Sequence, residues 1–268
     1  MLVQYVSDLH LEFKTKNVIP KLLKNIKADI LVLAGDICTV GDKDGFDKFQ
    51  ELLKHYCPKY KYILHVAGNH EYYITNKHPK PEECMSGIDS KLKDLSKTYK
   101  NYVYLNCGRI VVNIDNKNYM FIGATLWSKV QKKNLAEVQE AMNDYVNIYI
   151  CKDNKISYFN VEYMQKLHIK HRNYLKTSID KAKSLNIPAI IITHHKSLAD
   201  TEPEKVTAIT QAYETDMSRI LKPPVVAVIW GHTHSHYFKK ENNITYASNP
   251  MGYPYQQCGF KNNLGLSI

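Results

Sequence analysis

The sequence predicts an α/β fold built on mixed sheets, and three features point to it. Short, wholly apolar runs such as 30–34 and 190–192 have the composition of strands covered on both faces. As far as residue 70 these runs alternate with segments of helical spacing, the order that produces parallel pairing. After residue 100 two strand-like runs follow one another directly across Asp115-Asn116-Lys117-Asn118, which adds an antiparallel hairpin.

Taken in order, residues 2–7 form the first expected strand. Val18, Ile19, Leu22, Leu23 and Ile26 recur at helical spacing and predict a helix over 18–27. A strand at 29–34 is followed by a helix over 46–56, stopped by Pro58, and then by a strand at 61–66. A helix over 82–98 precedes strands at 102–105, 109–114 and 118–123. Residues 131–185 read as mostly helical, packed on the sheet or capping a site, with tyrosines that belong to the half-buried core. Strands return at 188–193 and 225–230 with a helix near 206–221 between them, and the tail supplies closing strands around a Gly/Pro/Tyr loop. No repeat, linker or composition shift marks a boundary, so the expectation is a single domain over 1–268.

With 44% hydrophobic residues the chain can bury a substantial core, and no apolar run of 18 or more residues is long enough for a membrane-spanning helix. The chain enters a strand at once without a basic leader and apolar segment, and its six cysteines form no Cys-x-x-Cys pair. Both features favour a cytoplasmic protein with reduced thiols. Lys plus Arg (36) against Asp plus Glu (26) gives +10, which attracts anionic ligands. The lysines are scattered among acids with no aromatic-interleaved basic stripe, so a solvated surface is favoured over a nucleic-acid partner. No obligate protein partner is indicated.

Chemistry concentrates at the ends of the apolar runs. Val3–Val6 ends in Ser7-Asp8-Leu9-His10, Ile30–Ala34 in Gly35-Asp36, and Tyr62–Val66 in Ala67-Gly68-Asn69-His70-Glu71. Ile190–Thr193 ends in His194-His195, and Val225–Trp230 in Gly231-His232-Thr233-His234. Each motif alone is weak: Gly-Asp and Gly-Asn are ordinary turn sequences, and a pair of histidines can be a satisfied polar cluster. Together they gather His10, His70, His194, His195, His232, His234 and His236, out of 12 histidines, in or beside four strand ends, with Asp36 at a fifth. Ligands bind at strand ends of open α/β sheets, and imidazole with carboxylate and no thiolate suits Mn, Fe, Zn or Ni. Two divalent ions roughly 3.5–4 Å apart need a shared anion between them, and Asp36 is the candidate. Such ions lower the pKa of water from 15.7 to about 7 and so create a bridging hydroxide nucleophile.

In this order and spacing, the five motifs resemble the calcineurin-like metallophosphoesterase superfamily from residue 8 to 234. The resemblance implies a four-layer α/β/β/α sandwich with two mixed sheets, and a phosphoesterase that cleaves monoesters or diesters by in-line attack of the bridging hydroxide. By resemblance, Asp8, His10 and His234 hold one metal, Asn69, His194 and His232 hold the second, and Asp36 bridges them. His70 matches the catalytic histidine that contacts phosphate and protonates the leaving oxygen, with Asn69 also touching substrate. His195 stands either as a ligand in place of His194 or as a substrate contact. His236 reads as an outer or surface residue, and His65 and His168 as structural.

The chain departs from the protein Ser/Thr phosphatases, which carry an Arg after the bridging Asp where this chain has Ile37-Cys38-Thr39-Val40-Gly41. Ser7-Asp8-Leu9-His10-Leu11-Glu12-Phe13, Gly123-Ala124-Thr125-Leu126-Trp127 and Asn249-Pro250-Met251-Gly252-Tyr253-Pro254 look like a group of small, stand-alone microbial metallophosphoesterases. Met251 occupies the position where that group has Arg. The expected substrate is a small-molecule or nucleotide phosphate ester. The alternatives are a nuclease or cyclic-nucleotide phosphodiesterase, and a non-catalytic scaffold of the same fold.

Overall fold

Alternation along the apolar strands sets the layering. In the strand β2 (Ile30–Ala34), Ile30, Val32 and Ala34 face one way, while Leu31 and Leu33 face the other. Both sets are buried, so this strand has a layer on each side. The computed structural model describes residues 1–153, 155–199 and 207–268.

One sheet has the order β13-β1-β2-β3-β4, with β1 Leu2–Val6, β3 Tyr62–Val66, β4 Tyr102–Tyr104 and β13 Gly265–Ser267. β1 through β4 are parallel and β13 runs antiparallel to β1. The second sheet has the order β11-β12-β10-β9-β6-β5. It comprises β5 Gly108–Ile114, β6 Lys117–Ala124, β9 Ala189–Thr193, β10 Val225–Trp230, β11 Tyr237–Glu241 and β12 Ile244–Ser248. Its four central strands are parallel and its edges antiparallel. Val3, Tyr5, Ile30, Val32 and Leu64 of one sheet meet Phe121, Ile190, Ile192, Ala227 and Ile229 of the other. Burying each such side chain contributes about 1.5–3 kcal/mol. On the outer faces, helices α1 (Lys43–Tyr56) and α2 (Met85–Thr98) cover Leu31, Leu33 and Ile63, and α5 (Val161–Ser184) covers Met120, Ile122 and Ile191. The architecture is the four-layer α/β/β/α sandwich.

Three local expectations need correction. No α-helix spans 18–27: Lys16–Lys21 is a 3-10 turn with Pro20 inside it. Proline lacks the N–H an α-helix needs and pushes the preceding residue out of the α region. The Tyr56 hydroxyl satisfies this segment instead, donating to the Ile19 carbonyl (2.7 Å) and accepting from the Leu23 N–H (3.0 Å). The helix expected near 206–221 begins at the edge of the undescribed residues; 207–221 holds turns and a 3-10 segment, Thr210–Ala212. Between 131 and 185, helices α3 (Leu135–Ala141), α4 (Asp144–Asn147) and α5 are interrupted by a hairpin, β7 (Tyr149–Lys152) and β8 (Lys155–Tyr158). Tyr149 and Ile150 of β7 are buried, so packing overrides the helical pattern around them. The turns at Asp115-Asn116 and Asn242-Asn243 have φ between 49° and 62°, the left-handed pair that two-residue hairpins require. All six cysteines are free thiols.

Candidate metal centre

Parallel strands from both sheets end on the same side of the sandwich, and the polar motifs follow them. Asp8 and His10 follow β1, Asp36 follows β2, Asn69 and His70 follow β3, His194 and His195 follow β9, and His232 and His234 follow β10. The site ties the two sheets together. Asp8 accepts the His232 N–H through both carboxylate oxygens (3.0 and 3.1 Å), and His194 Nδ1 donates to the Ala34 carbonyl (2.9 Å).

Asp8, His10, Asp36, His232 and His234 all have φ between 46° and 67°. A non-glycine residue in that region costs roughly 1 kcal/mol or more, and such strain clusters at functional sites. Glycines make room beside them. A Cβ on Gly68 would collide with Asp36 Oδ1, and one on Gly231 would lie 2.7 Å from Asp8 Oδ2. Glu71, wholly buried, clips the turns in place: its carboxylate accepts the N–H groups of Asp36 (2.9 Å), Ile37 (2.8 Å) and Gly68 (2.6 Å). The Gly-Asn-His-Glu sequence therefore carries its own scaffold in its last residue.

Three groups of ligand-type atoms result among the described residues: His10 with Glu12 and His70, and two that share Asp36. Of the two that share it, the first is Asp8, His10, Asp36 and His234, and the second is Asp36, His194 and His232. In the first, His10 Nδ1 donates to Glu12 (3.0 Å) and His234 Nδ1 to Gln256 (2.6 Å). With those protons engaged, the lone pairs of both Nε2 atoms point inward, 3.1 Å from each other. His234 Nε2 lies 3.3 Å from Asp8 Oδ1, and His10 Nε2 3.9 Å from Asp36 Oδ2. In the second group, His194 Nε2 faces Asp36 Oδ1 (3.3 Å) and Asn69 Oδ1 (3.1 Å). Asn69 is turned this way because its amide NH₂ donates to Asp144 (2.9 Å) and to the Tyr73 hydroxyl (3.2 Å). His232 Nε2 is buried with no partner among the described residues. Carboxylate oxygens and imidazole nitrogens that converge in this way favour positive charge among them, so the residues present fit divalent metal ions.

The charges agree. Burial alone would raise the Asp36 carboxyl, but the imidazoles of His194 and His70 outweigh it and hold the group well below the usual range. Burial would lower His194, yet Asp36 and Asp8 bring it up to about 10. His232, buried and beside His194, is pushed down to about 3.

A profile of the calcineurin-like phosphoesterase family matches residues 1–236. The chain belongs to that family. It is a metal-dependent phosphoester hydrolase. This calcineurin-like phosphoesterase is 31% identical over 278 residues to the "Uncharacterized protein L509" of Acanthamoeba polyphaga mimivirus, across 97% of this chain and 94% of the viral one. Among solved structures, the phosphopantetheinyl hydrolase PptH of Mycobacterium tuberculosis is similar, with TM-score 0.67 and 16% identity over 94% of this chain and 89% of that one. A dimetal phosphatase from Danio rerio superposes with TM-score 0.51 at 13% identity, covering 92% of this chain and 86% of that one. At these identities the two structures share the fold.

Above the ligands of this phosphoesterase is a cavity of about 350 Å³, walled by Asp36, Asn69, His70, Tyr213, His232, His234 and Tyr253 among others. His70 is anchored from three sides. Its N–H donates to Asp36 Oδ1 (2.8 Å), its Nδ1 pairs with Glu12 (2.9 Å), and its Nε2 meets the Tyr253 hydroxyl (3.1 Å). Burial lowers His70, but Asp36 and Glu12 prevail and raise it to about 9. His195 is outside both ligand groups: its ring packs against His232 (4.0 Å between centroids) and Trp127 (5.2 Å), beneath the site. His236 lies at the periphery, its N–H bonded to the Cys258 carbonyl. Met251 is half-buried and lines a separate depression with Lys14, Lys21 and Phe260.

Sequence reasoning singled out none of Glu12, Tyr73, Asp144, Tyr213, Tyr253 or Gln256 individually, although Asp144 lies in the segment expected to cap a site and Tyr253 and Gln256 in the loop expected to shape it. Glu12 alone left a local signal, two residues beyond His10 in Asp-Leu-His-Leu-Glu. The others reach the site from segments 73 to 256, a juxtaposition no periodicity encodes.

Proposed function

We propose that this chain hydrolyses small phosphate esters at a centre of two divalent transition-metal ions (Mn, Fe, Zn or Ni), with Asp36 common to both. Asp8, His10 and His234 hold one ion with Asp36, and Asn69, His194 and His232 hold the other with it. The observation that carries this reading is the division of one carboxylate: Oδ1 faces His194 and Oδ2 faces His10. Bound ions supply a nucleophile from water near neutral pH and offset phosphate charge. The chain's own residues do the rest. Asn69 is oriented by Asp144 to present its carbonyl, and Tyr73 stacks on His70 (4.3 Å) to fix the ring plane. The oxygen of water joins phosphorus in line with the departing ester oxygen, and that P–O bond breaks. The departing oxygen takes a proton from His70 Nε2, which Glu12 holds in position from Nδ1. His195 supports the His232 ring from below.

Purified protein with Mn²⁺ should hydrolyse an aryl phosphate, and elemental analysis should find two transition-metal ions per chain. Asp36→Asn should lose both. One ion per chain with full activity, or undiminished activity in Asp36→Asn, would refute the two-ion reading. The +10 charge favours one second reading, a nucleotide or polynucleotide diester as substrate, and digestion of single-stranded RNA and cyclic nucleotides tests it.

A further inference from the structure

A second cavity, of about 810 Å³, shares His70, Tyr73, Asn143 and Tyr253 with the smaller one over the ligands. It is not needed to hold a phosphate, and its chemistry differs. One wall is aromatic: Tyr253 and Tyr255 stack (5.7 Å between centroids, 30°), and Phe13 meets Tyr253 edge-on (5.7 Å, 78°). Phe13 and Tyr255 are 56% and 82% exposed, a large apolar area to leave against water. Apart from His70, its charged lining residues are the acids Glu12, Asp42 and Asp44. The neighbouring lysines are engaged: Lys48 Nζ pairs with Asp44 (2.7 Å), Lys43 with Asp47 (2.8 Å), and Lys14 Nζ donates to the Leu9 carbonyl (2.6 Å). Asp44 is engaged in turn by Lys48, and Glu12 by His10 and His70, so Asp42 is the lining carboxylate that has no basic partner among the described residues.

We infer that this cavity receives the alcohol portion of the substrate, and that this alcohol is uncharged or cationic with apolar, ring-sized surface, not one bearing a further phosphate. The inference rests on the phosphoester reading above and adds the substrate class. His70 is the link. A proton donor belongs beside the oxygen that leaves, and His70 forms part of the wall between the two cavities. The released alcohol therefore emerges on the side of Phe13, Tyr253 and Tyr255, whose faces suit an apolar ring or chain. A polynucleotide or nucleoside polyphosphate would place its next phosphate near Asp42, where like charges repel.

The test compares three esters on the Mn²⁺-loaded protein: phenyl, 4-(carboxymethyl)phenyl and 4-(trimethylammoniomethyl)phenyl phosphate. The methylene spacer keeps the acidity of the three phenols similar. The expected result is a kcat/KM at least ~10-fold lower for the carboxylate than for the phenyl ester, and undiminished for the ammonium. Asp42→Asn should narrow the gap while keeping the acceptor that Asp42 offers the Thr75 N–H (3.1 Å). Tyr255→Ala should raise KM for 2-naphthyl phosphate about 3-fold or more, with an unchanged melting temperature. Equal kcat/KM on all three esters overturns this inference and leaves the phosphoester reading intact, as does an Asp42→Asn variant with the parent's charge preference. Hydrolysis of none of them overturns both.

Discussion

The two halves of the candidate ligand set differ at one imidazole. Around Asp8, His10 and His234 the imidazoles are aimed by hydrogen bonds, from His10 to Glu12 and from His234 to Gln256. On the other side, His232 is held between aromatic rings, His195 at 4.0 Å and Tyr213 at 4.8 Å, with its Nε2 unpartnered. A hydrogen bond fixes both tautomer and angle, whereas ring packing fixes position and leaves rotation in the plane freer. His234 should therefore depend on its single polar partner and His232 on the volume around it, whereas His194, beside His232, is aimed like His234 by a hydrogen bond, to the Ala34 carbonyl.

The largest effect should come from the residue the halves share. Asp36→Asn should reduce hydrolysis by more than ~10³-fold and lower bound metal, because both groups lose the carboxylate they share. Turnover and metal content read this directly, and a variant that lost only one ion would mean the halves are independent. Glu71→Gln should come next, since the buried carboxylate accepts three N–H bonds and an amide can reproduce only some of them. The expected loss is about 3 kcal/mol in urea unfolding, with weakened binding of ions in both halves.

Gln256→Ala and Tyr213→Ala then sharpen the contrast. Removing the partner of His234 Nδ1 should weaken Mn²⁺ binding ~10–100-fold, whereas removing the ring beside His232 should weaken it less than ~10-fold. Titration calorimetry on the two variants distinguishes them, and the reverse order would refute the distinction. The effect that is smallest near neutral pH concerns a histidine outside both halves. His171 is buried, accepts the Leu126 N–H at Nδ1 (3.1 Å), and is pushed down to about 3 by burial. Its folded pKa lies below the unfolded value near 6.5, so the unfolded chain binds the extra proton between those limits. From this group, stability should fall by up to ~1.4 kcal/mol per pH unit as pH drops from 6.5 towards 3. His171→Asn keeps an acceptor and should flatten that part of the denaturation-versus-pH curve.

The contrast also explains what was legible beforehand. Asp8, His10, Asp36, Asn69, His194, His232 and His234 stand directly after apolar runs, so strand composition and the next few residues were enough to nominate them. The helix expected over 18–27 failed because Pro20 breaks an α-helix while the same apolar residues still pack, held by the Tyr56 hydroxyl. The hairpin at 149–158 was missed because its buried residues are few and its neighbours are helical.

Local order along the chain thus determined the strands, the residues at their ends and the family. Those features depend on backbone covalency and side-chain alternation, which act between near neighbours. Only the tertiary structure decided which oxygen of Asp36 faces which histidine, that Asp144 turns Asn69, and that an acid-rimmed aromatic cavity adjoins His70. Those arrangements join residues as far as 240 positions apart, as where Phe13 meets Tyr253, and arise from the packing of two sheets face to face.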